Sequence, residues 1–202
     1  MVGIEIKITD ELLFKRAIRK LIPAAYQNAR LQDFSDKIIV SFSRYGYLIR
    51  GQAGVGKTHY ATAIAISCFN HLSPNFIGDA NEHGVLLANI PAIGFRWQHV
   101  PHLYCRLRST FGNQKGETEY DIVNEMIEYR LLLLDDFGAE KISDYSVSAF
   151  YTILSQRRNQ NKPTIITTNL NMDEIESIDS RIASRLGEFI QIVLSDKDRR
   201  LR

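Results

Sequence analysis

The run Gly51-Gln-Ala-Gly-Val-Gly56-Lys57-Thr58 follows the strand-like stretch Tyr47-Leu48-Ile49-Arg50 and precedes Thr62, Ala63, Ile64, Ile66 and Phe69 at helical spacing. A loop of the form G-x-x-x-x-G-K-[ST] in that setting leaves a buried strand, curls its N–H groups around an anion and opens a helix whose positive end faces the same anion. The chain is thereby committed to a strand, loop and helix unit. Glycines at 51, 54 and 56 permit the turn, Lys57 reaches the β- and γ-phosphates of a nucleotide, and the Thr58 hydroxyl is a ligand for Mg²⁺. Gln52, Ala53, Val55 and His59 complete the set expected to contact the nucleotide.

The chain has 202 residues, 45% hydrophobic and 24% charged, which suits one substantial core and is short for two typical domains. A net charge of +2 does not by itself argue for nucleic acid, because phosphate affinity follows clustered charge. Clusters come late, at Arg157-Arg158 and then Arg181, Arg185, Lys197, Arg199, Arg200 and Arg202. Cys68 and Cys105 stand far apart with no metal-ligand spacing, so neither a zinc site nor a disulfide framework is supported. No apolar run approaches the roughly 18 residues a membrane helix needs, and Glu5 and Asp10 sit where a signal peptide would be basic and apolar. A cytoplasmic protein with no membrane contact is expected.

Periodicity supplies the other elements. Residues 8–22 have helical spacing, with Thr9 or Asp10 as N-cap and Pro23 near the end, and a second apolar patch runs from Phe34 to Phe42. Residues 1–45 therefore read as a helical extension packed on a core of 46–202. The turn-rich segment from Ser73 to Gly84 predicts a loop, Val85–Ile90 and Phe95–Val100 are strand candidates, and Pro101 suits the first turn of a helix reaching Phe111. Leu131 to Leu134 predicts a strand buried on both faces, bounded by Asp135-Asp136. Beyond it, a helix is predicted over 143–158, a strand over 164–168, a helix over 179–186 and a strand over 189–193. This alternation implies a parallel sheet covered on both sides.

Four leucines delivering two adjacent acids form the second half of a nucleotide site. Asp135 suits the Mg²⁺ coordination sphere, and Asp136 could orient and deprotonate the attacking water. Asn169 ends the 164–168 strand at the edge where parallel sheets bind ligands, so its amide could sense the γ-phosphate; a simple turn with Asn171 is the alternative. Arg181 and Arg185 share one helical face and have the chemistry to stabilise charge in phosphoryl transfer, in cis or from a neighbouring subunit.

Taken in order, the phosphate loop, H-V-P-H-L-Y-C-R-L-R-S-T-F, L-L-L-L-D-D-F-G-A-E-K, K-P-T-I-I-T-T-N-L, R-I-A-S-R-L and S-D-K-D-R-R-L resemble the DnaC/DnaI/IstB-type AAA+ ATPases, which are helicase loaders and transposase helpers. The resemblance begins near Pro23 and runs to the C-terminus. It implies a three-layer αβα P-loop NTPase of the ASCE and AAA+ kind, with a parallel sheet of order 5-1-4-3-2 and little or no C-terminal lid. It assigns Lys57 and Thr58 to phosphates and Mg²⁺, Asp135 to Mg²⁺, Asp136 to water activation and Asn169 to the first sensor. It makes Arg185 a finger acting on a neighbour's ATP, with Arg181 as the alternative, and Arg200 the second sensor. It also implies ATP-dependent homo-oligomers on single- or double-stranded DNA, with a replicative helicase or a transposase as partner. Slow turnover of ATP to ADP is expected, because Asp136 is shorter than the glutamate more common at that place. A nucleoside or small-molecule kinase, and a nucleotide-regulated adaptor with negligible hydrolysis, are the competing readings.

Overall fold

The computed structural model describes residues 20–34, 46–71, 94–112, 116–140 and 143–195. Five strands form one sheet: β1 (Gly46–Gly51), β2 (Phe95–His99), β3 (Leu131–Phe137), β4 (Thr164–Thr168) and β5 (Ile190–Leu194). Their order is β2-β3-β4-β1-β5, which read from the other edge is 5-1-4-3-2, and every pairing is parallel. Parallel neighbours need crossovers, and helices supply them. They are α1 (Lys57–His71), α2 (Val100–Arg108), α3 (Glu119–Glu128), α4 (Asp144–Asn159), α5 (Met172–Ile178) and α6 (Ser180–Gly187).

Alternation along the strands divides the core in two. Tyr47, Ile49, Leu131, Leu133 and Ile165 face α1, where Tyr60, Ala61 and Ile64 are buried together with Ile22 and Phe34 of the lead-in segment. Leu48, Leu132, Leu134 and Ile166 face the other way, onto Leu103, Tyr104, Ile122, Phe150 and Ile182 of the remaining helices. Leu132, Leu133 and Leu134 are fully buried, each contributing about 1.5–3 kcal/mol of transfer free energy. The leucine run is thus a central strand because both of its faces are covered.

The expected elements recur with shifted ends. The helix predicted from Pro101 to Phe111 is Val100–Arg108, with proline in its first turn, and the strand at 164–168 falls where the pattern put it. β3 does not stop at Leu134 but carries both acids and ends at Phe137. Two helices lay beyond the periodicity reading. α3 begins at a capping box in which Thr118 and Asp121 bond each other's backbone N–H, and α5 begins at the same device between Asn171 and Glu174. Asn171 is therefore a helix cap rather than the partner of Asn169 in a turn. The helix start at Thr9 or Asp10, most of the apolar patch after Phe34, the loop from Ser73, the Val85–Ile90 candidate, and Lys197, Arg199, Arg200 and Arg202 lie outside the described residues.

The basic pair Arg157-Arg158 does not form a charged surface. Arg157 is 1% exposed, and its guanidinium donates to the carbonyls of Met126 (2.9 Å), Ile127 (3.2 Å), Tyr129 (2.6 Å) and Pro163 (2.7 Å) and to Thr164 Oγ1 (2.8 Å). Helix ends leave carbonyls without intrahelical partners, and here one planar fork satisfies the end of α3 while binding the residues that lead into β3 and β4. Arg158 instead bonds Glu188 at 2.6 Å.

Candidate functional site

β1 delivers the glycine-rich loop to the C-terminal edge of the sheet. Gly54 and Gly56 have φ of +83° and +97°, a region that side chains with a Cβ rarely adopt, while Val55 between them is buried and anchors the loop. Lys57, 6% exposed, donates from Nζ to the Gln52 carbonyl (2.8 Å) and to Asn169 Oδ1 (2.5 Å), a residue 112 positions away at the end of β4. Asp135 Oδ1 accepts from Thr58 Oγ1 (2.9 Å) and from Thr167 Oγ1 (2.7 Å). Lysine, threonine, aspartate and asparagine from three neighbouring strand ends are thus joined at hydrogen-bond distance. Burial is the largest influence on the Asp135 carboxyl and pushes its pKa above the ordinary value, against the two threonine hydrogen bonds that lower it. A buried carboxylate under that strain, beside a hydroxyl, is a donor set that fits a hard divalent cation such as Mg²⁺.

Thr167 is a member of this cluster that sequence reasoning did not single out. Its hydroxyl gives its hydrogen to Asp135 and accepts the Asp136 N–H at 2.9 Å, tying the acidic pair to β4. The signal available was its place two residues before Asn169 on a strand otherwise read for its apolar character.

Asp136 has φ of +62°, and the β3·β4 register shifts between Leu134 and Phe137. A bulge therefore turns Asp136 out of line with Asp135. Its Oδ2 lies 3.5 Å from Nε2 of His99, the last residue of β2, whose ring stacks on Trp97 at 6° between planes. Neither His99 nor Trp97 was singled out from the sequence beyond its place in a motif. His59, in the first turn of α1, is engaged with Asp33 at 2.7 Å and lies against the Phe34 ring. That hydrogen bond is the main cause holding the Asp33 carboxyl below its ordinary pKa.

Arg181 and Arg185 stand elsewhere. β5 runs parallel to β1 with Ile190 opposite Tyr47 and Leu194 opposite Gly51, so residues just before Ile190 sit at the sheet edge away from the phosphate loop. The four steps from Tyr47 to Gly51 separate the two edges by ~13 Å. Around these arginines, Tyr151 of α4 and Ser180, Arg181, Ser184 and Arg185 of α6 line a shallow depression of about 310 Å³. Arg181 grips Asp179, the N-cap of α6, at 2.7 Å, whereas Arg185 is held loosely by Ser155 (3.5 Å) and Glu188 (3.7 Å).

Strand order, loop geometry and the joined acids define an α/β P-loop NTPase fold. No protein-family model matches the chain. Among curated proteins, the replicative helicase loader DnaC of Escherichia coli is 25% identical over 152 residues, covering 74% of this chain and 54% of DnaC. Among solved structures, DnaI superposes with a TM-score of 0.59 at 21% identity, over 86% of this chain and 95% of that one. A replication initiator DnaA bound to AMPPCP and single-stranded DNA superposes with a TM-score of 0.62 at 16% identity, over 88% of this chain and 51% of that one. The resemblance to DnaC/DnaI-type AAA+ proteins is borne out, and the chain spans about half the length of the curated relative DnaC.

Proposed function

We propose that this chain binds Mg²⁺ and ATP between the Gly51–Thr58 loop and Asp135, turns ATP over slowly, and assembles on DNA in the manner of replication initiation or helicase loading. The convergence of Lys57, Thr58, Asp135 and Asn169 carries the reading. Bound between Thr58 and Asp135, Mg²⁺ would supply charge neutralisation for the β- and γ-phosphates. Lys57 exchanges the Gln52 carbonyl for phosphate oxygens while Asn169 keeps it aimed. Asp136, turned outward by the bulge and facing His99, accepts the proton of the attacking water. Thr167 holds both acids in register.

Arg185 acts on the ATP of an adjacent copy, a reading supported by its contacts, which are with Ser155 and Glu188 and not with its own phosphate loop; Arg181, committed to Asp179, is the lesser candidate. The division into an extension up to residue 45 and a core from residue 46 is supported by the described part of the former, residues 20–34, where Ile22, Ala29 and Phe34 are buried. The DnaC and DnaA relatives favour a replicative helicase as partner over a transposase, and Arg200 remains the position proposed for the second sensor. Fluorescent-ATP titration and sedimentation with Mg²⁺ and single- or double-stranded DNA test the reading. Binding and self-association should appear and be lost in Lys57→Ala. Tight binding without turnover would leave an adaptor, and absence of both binding and assembly would end the proposal.

A further inference from the structure

Glu188 caps the C-terminal end of α6, a place where the helix dipole disfavours a carboxylate. Two arginines offset that cost. Arg158, in the last turn of α4, donates from Nε to Glu188 Oε2 at 2.6 Å, and Arg185, in the last turn of α6, has Nη1 3.7 Å from Glu188 Oε1. One carboxylate is therefore divided unequally between two guanidinium groups. The first contact is a charge-assisted hydrogen bond, whereas the second is beyond hydrogen-bond reach. Ser155 Oγ, at 3.5 Å from Arg185 Nε, is a weak further tether. Arg185 thus stands as a loosely held cation at the wall of the depression between α4 and α6, whose lining residues include no carboxylate.

We propose that Arg158 is a positioning residue for phosphate contact between subunits: by holding Glu188 it keeps that carboxylate from closing on Arg185, whose guanidinium stays free to meet the γ-phosphate of ATP on an adjacent copy of this chain. The inference rests on the reading of Arg185 as acting in trans. Arginine and carboxylate pair best through two parallel N–H···O bonds. With Oε2 taken by Arg158, Glu188 cannot offer both oxygens to Arg185. Without Arg158, a shift of about 0.8 Å takes the 3.7 Å contact to an ordinary hydrogen-bond length, and both oxygens can turn to Arg185. An incoming phosphate must then displace a bidentate carboxylate before it is bound. Arg181 does not take over, since it is bonded to Asp179 at 2.7 Å.

The test is ATP turnover by the full chain with Mg²⁺ and single-stranded DNA, comparing Arg158→Ala, Arg185→Ala, and Arg158→Ala combined with Glu188→Gln. Arg158→Ala should lower kcat about threefold to fivefold with KM unchanged, because nucleotide binding uses the adjacent copy's own loop and a half-exposed ion pair shifts populations by about that factor. Adding Glu188→Gln should return kcat to the parental range, although it restores no lost contact and so cannot act through stability. In the background of Arg185→Ala, Arg158→Ala should have no further effect, as for residues acting through one contact. The Arg185 Nε–H signal in NMR spectra of the chain without nucleotide gives a readout that needs no turnover: it should exchange more slowly with water in Arg158→Ala and return with Glu188→Gln. Parental kcat in Arg158→Ala, a loss that Glu188→Gln does not reverse, or an Arg185 signal that Arg158→Ala leaves unchanged would overturn the role of Arg158. If Arg185→Ala itself turns over at the parental rate while the signal responds as expected, the trans reading fails and the restraint on Glu188 stands.

Discussion

Replacing Arg157 tests whether a single guanidinium holds the far end of the sheet together. Arg157→Met keeps much of the side-chain volume and removes five hydrogen bonds, to Met126, Ile127, Tyr129, Pro163 and Thr164. A hydrogen bond to a charged group contributes about 1.5–3 kcal/mol, so the five together contribute roughly 8–15 kcal/mol, although Ile127 keeps Lys162 Nζ and Pro163 keeps the Leu132 N–H as second donors. Against this stands the strain of the buried charge. Burial brings the Arg157 pKa down to about 9, well below the ordinary guanidinium value, so the charged form is disfavoured by about 5 kcal/mol, and methionine relieves that. Taken at its lower end, the difference is a net loss of about 3 kcal/mol. With a urea m-value of about 2–3 kcal/mol/M for a chain of this size, the midpoint of unfolding should fall by about 1–1.5 M. Arg158→Ala, which loses a half-exposed ion pair with Glu188, should cost less than about 1 kcal/mol. Equilibrium urea unfolding followed by circular dichroism measures both. A loss in Arg157→Met no greater than in Arg158→Ala would refute the reasoning, as would weakened DNA binding at unchanged stability.

Asp135→Asn should raise Tm without Mg²⁺ or nucleotide by about 2–4 °C, the change that ~1 kcal/mol makes in a domain of this size. The sign follows from its raised pKa: the folded protein holds that proton more tightly, so the contribution is full below the unfolded pKa of about 3.9 and declines as pH rises through the folded value. The stability gap between variant and parent should therefore be wide at neutral pH and narrow in acid, and differential scanning calorimetry across pH that found no such trend would count against it. Thr167→Val removes one hydroxyl from both acids and should cost about 1–3 kcal/mol while weakening Mg²⁺-dependent ATP binding. Parental affinity for Mg²⁺ and ATP in that variant, read by isothermal titration, would leave Thr167 a purely structural role.

The parts of this molecule legible in sequence were those that announce themselves locally. Gly51 to Thr58 and the leucine run before Asp135 specify backbone shape and burial within a few residues, and alternation of strand and helix patterns then limits the sheet to few topologies. The capping boxes at Thr118 and Asn171 were also present in the sequence, but α5 is seven residues long with one buried side chain, too short for periodicity to register. Arg157 shows the limit of charge patterning, because adjacent arginines look alike until the ends of α3, β3 and β4 are brought together around one of them. Thr167 was hidden for a related reason. Its partners Asp135 and Asp136 belong to another strand, and only the parallel register of β3 and β4 places them beside its hydroxyl.

The left-handed backbone at Asp136 gives the short acid a reason of its own. With φ at +62°, this position favours asparagine, aspartate or glycine over longer side chains. A glutamate there would gain about one methylene of reach toward a water molecule at the expense of conformational preference. On the role proposed for Asp136, the residue choice is a compromise between backbone geometry and reach, and lengthening the acid would require the bulge that aims it to be rebuilt at the same time.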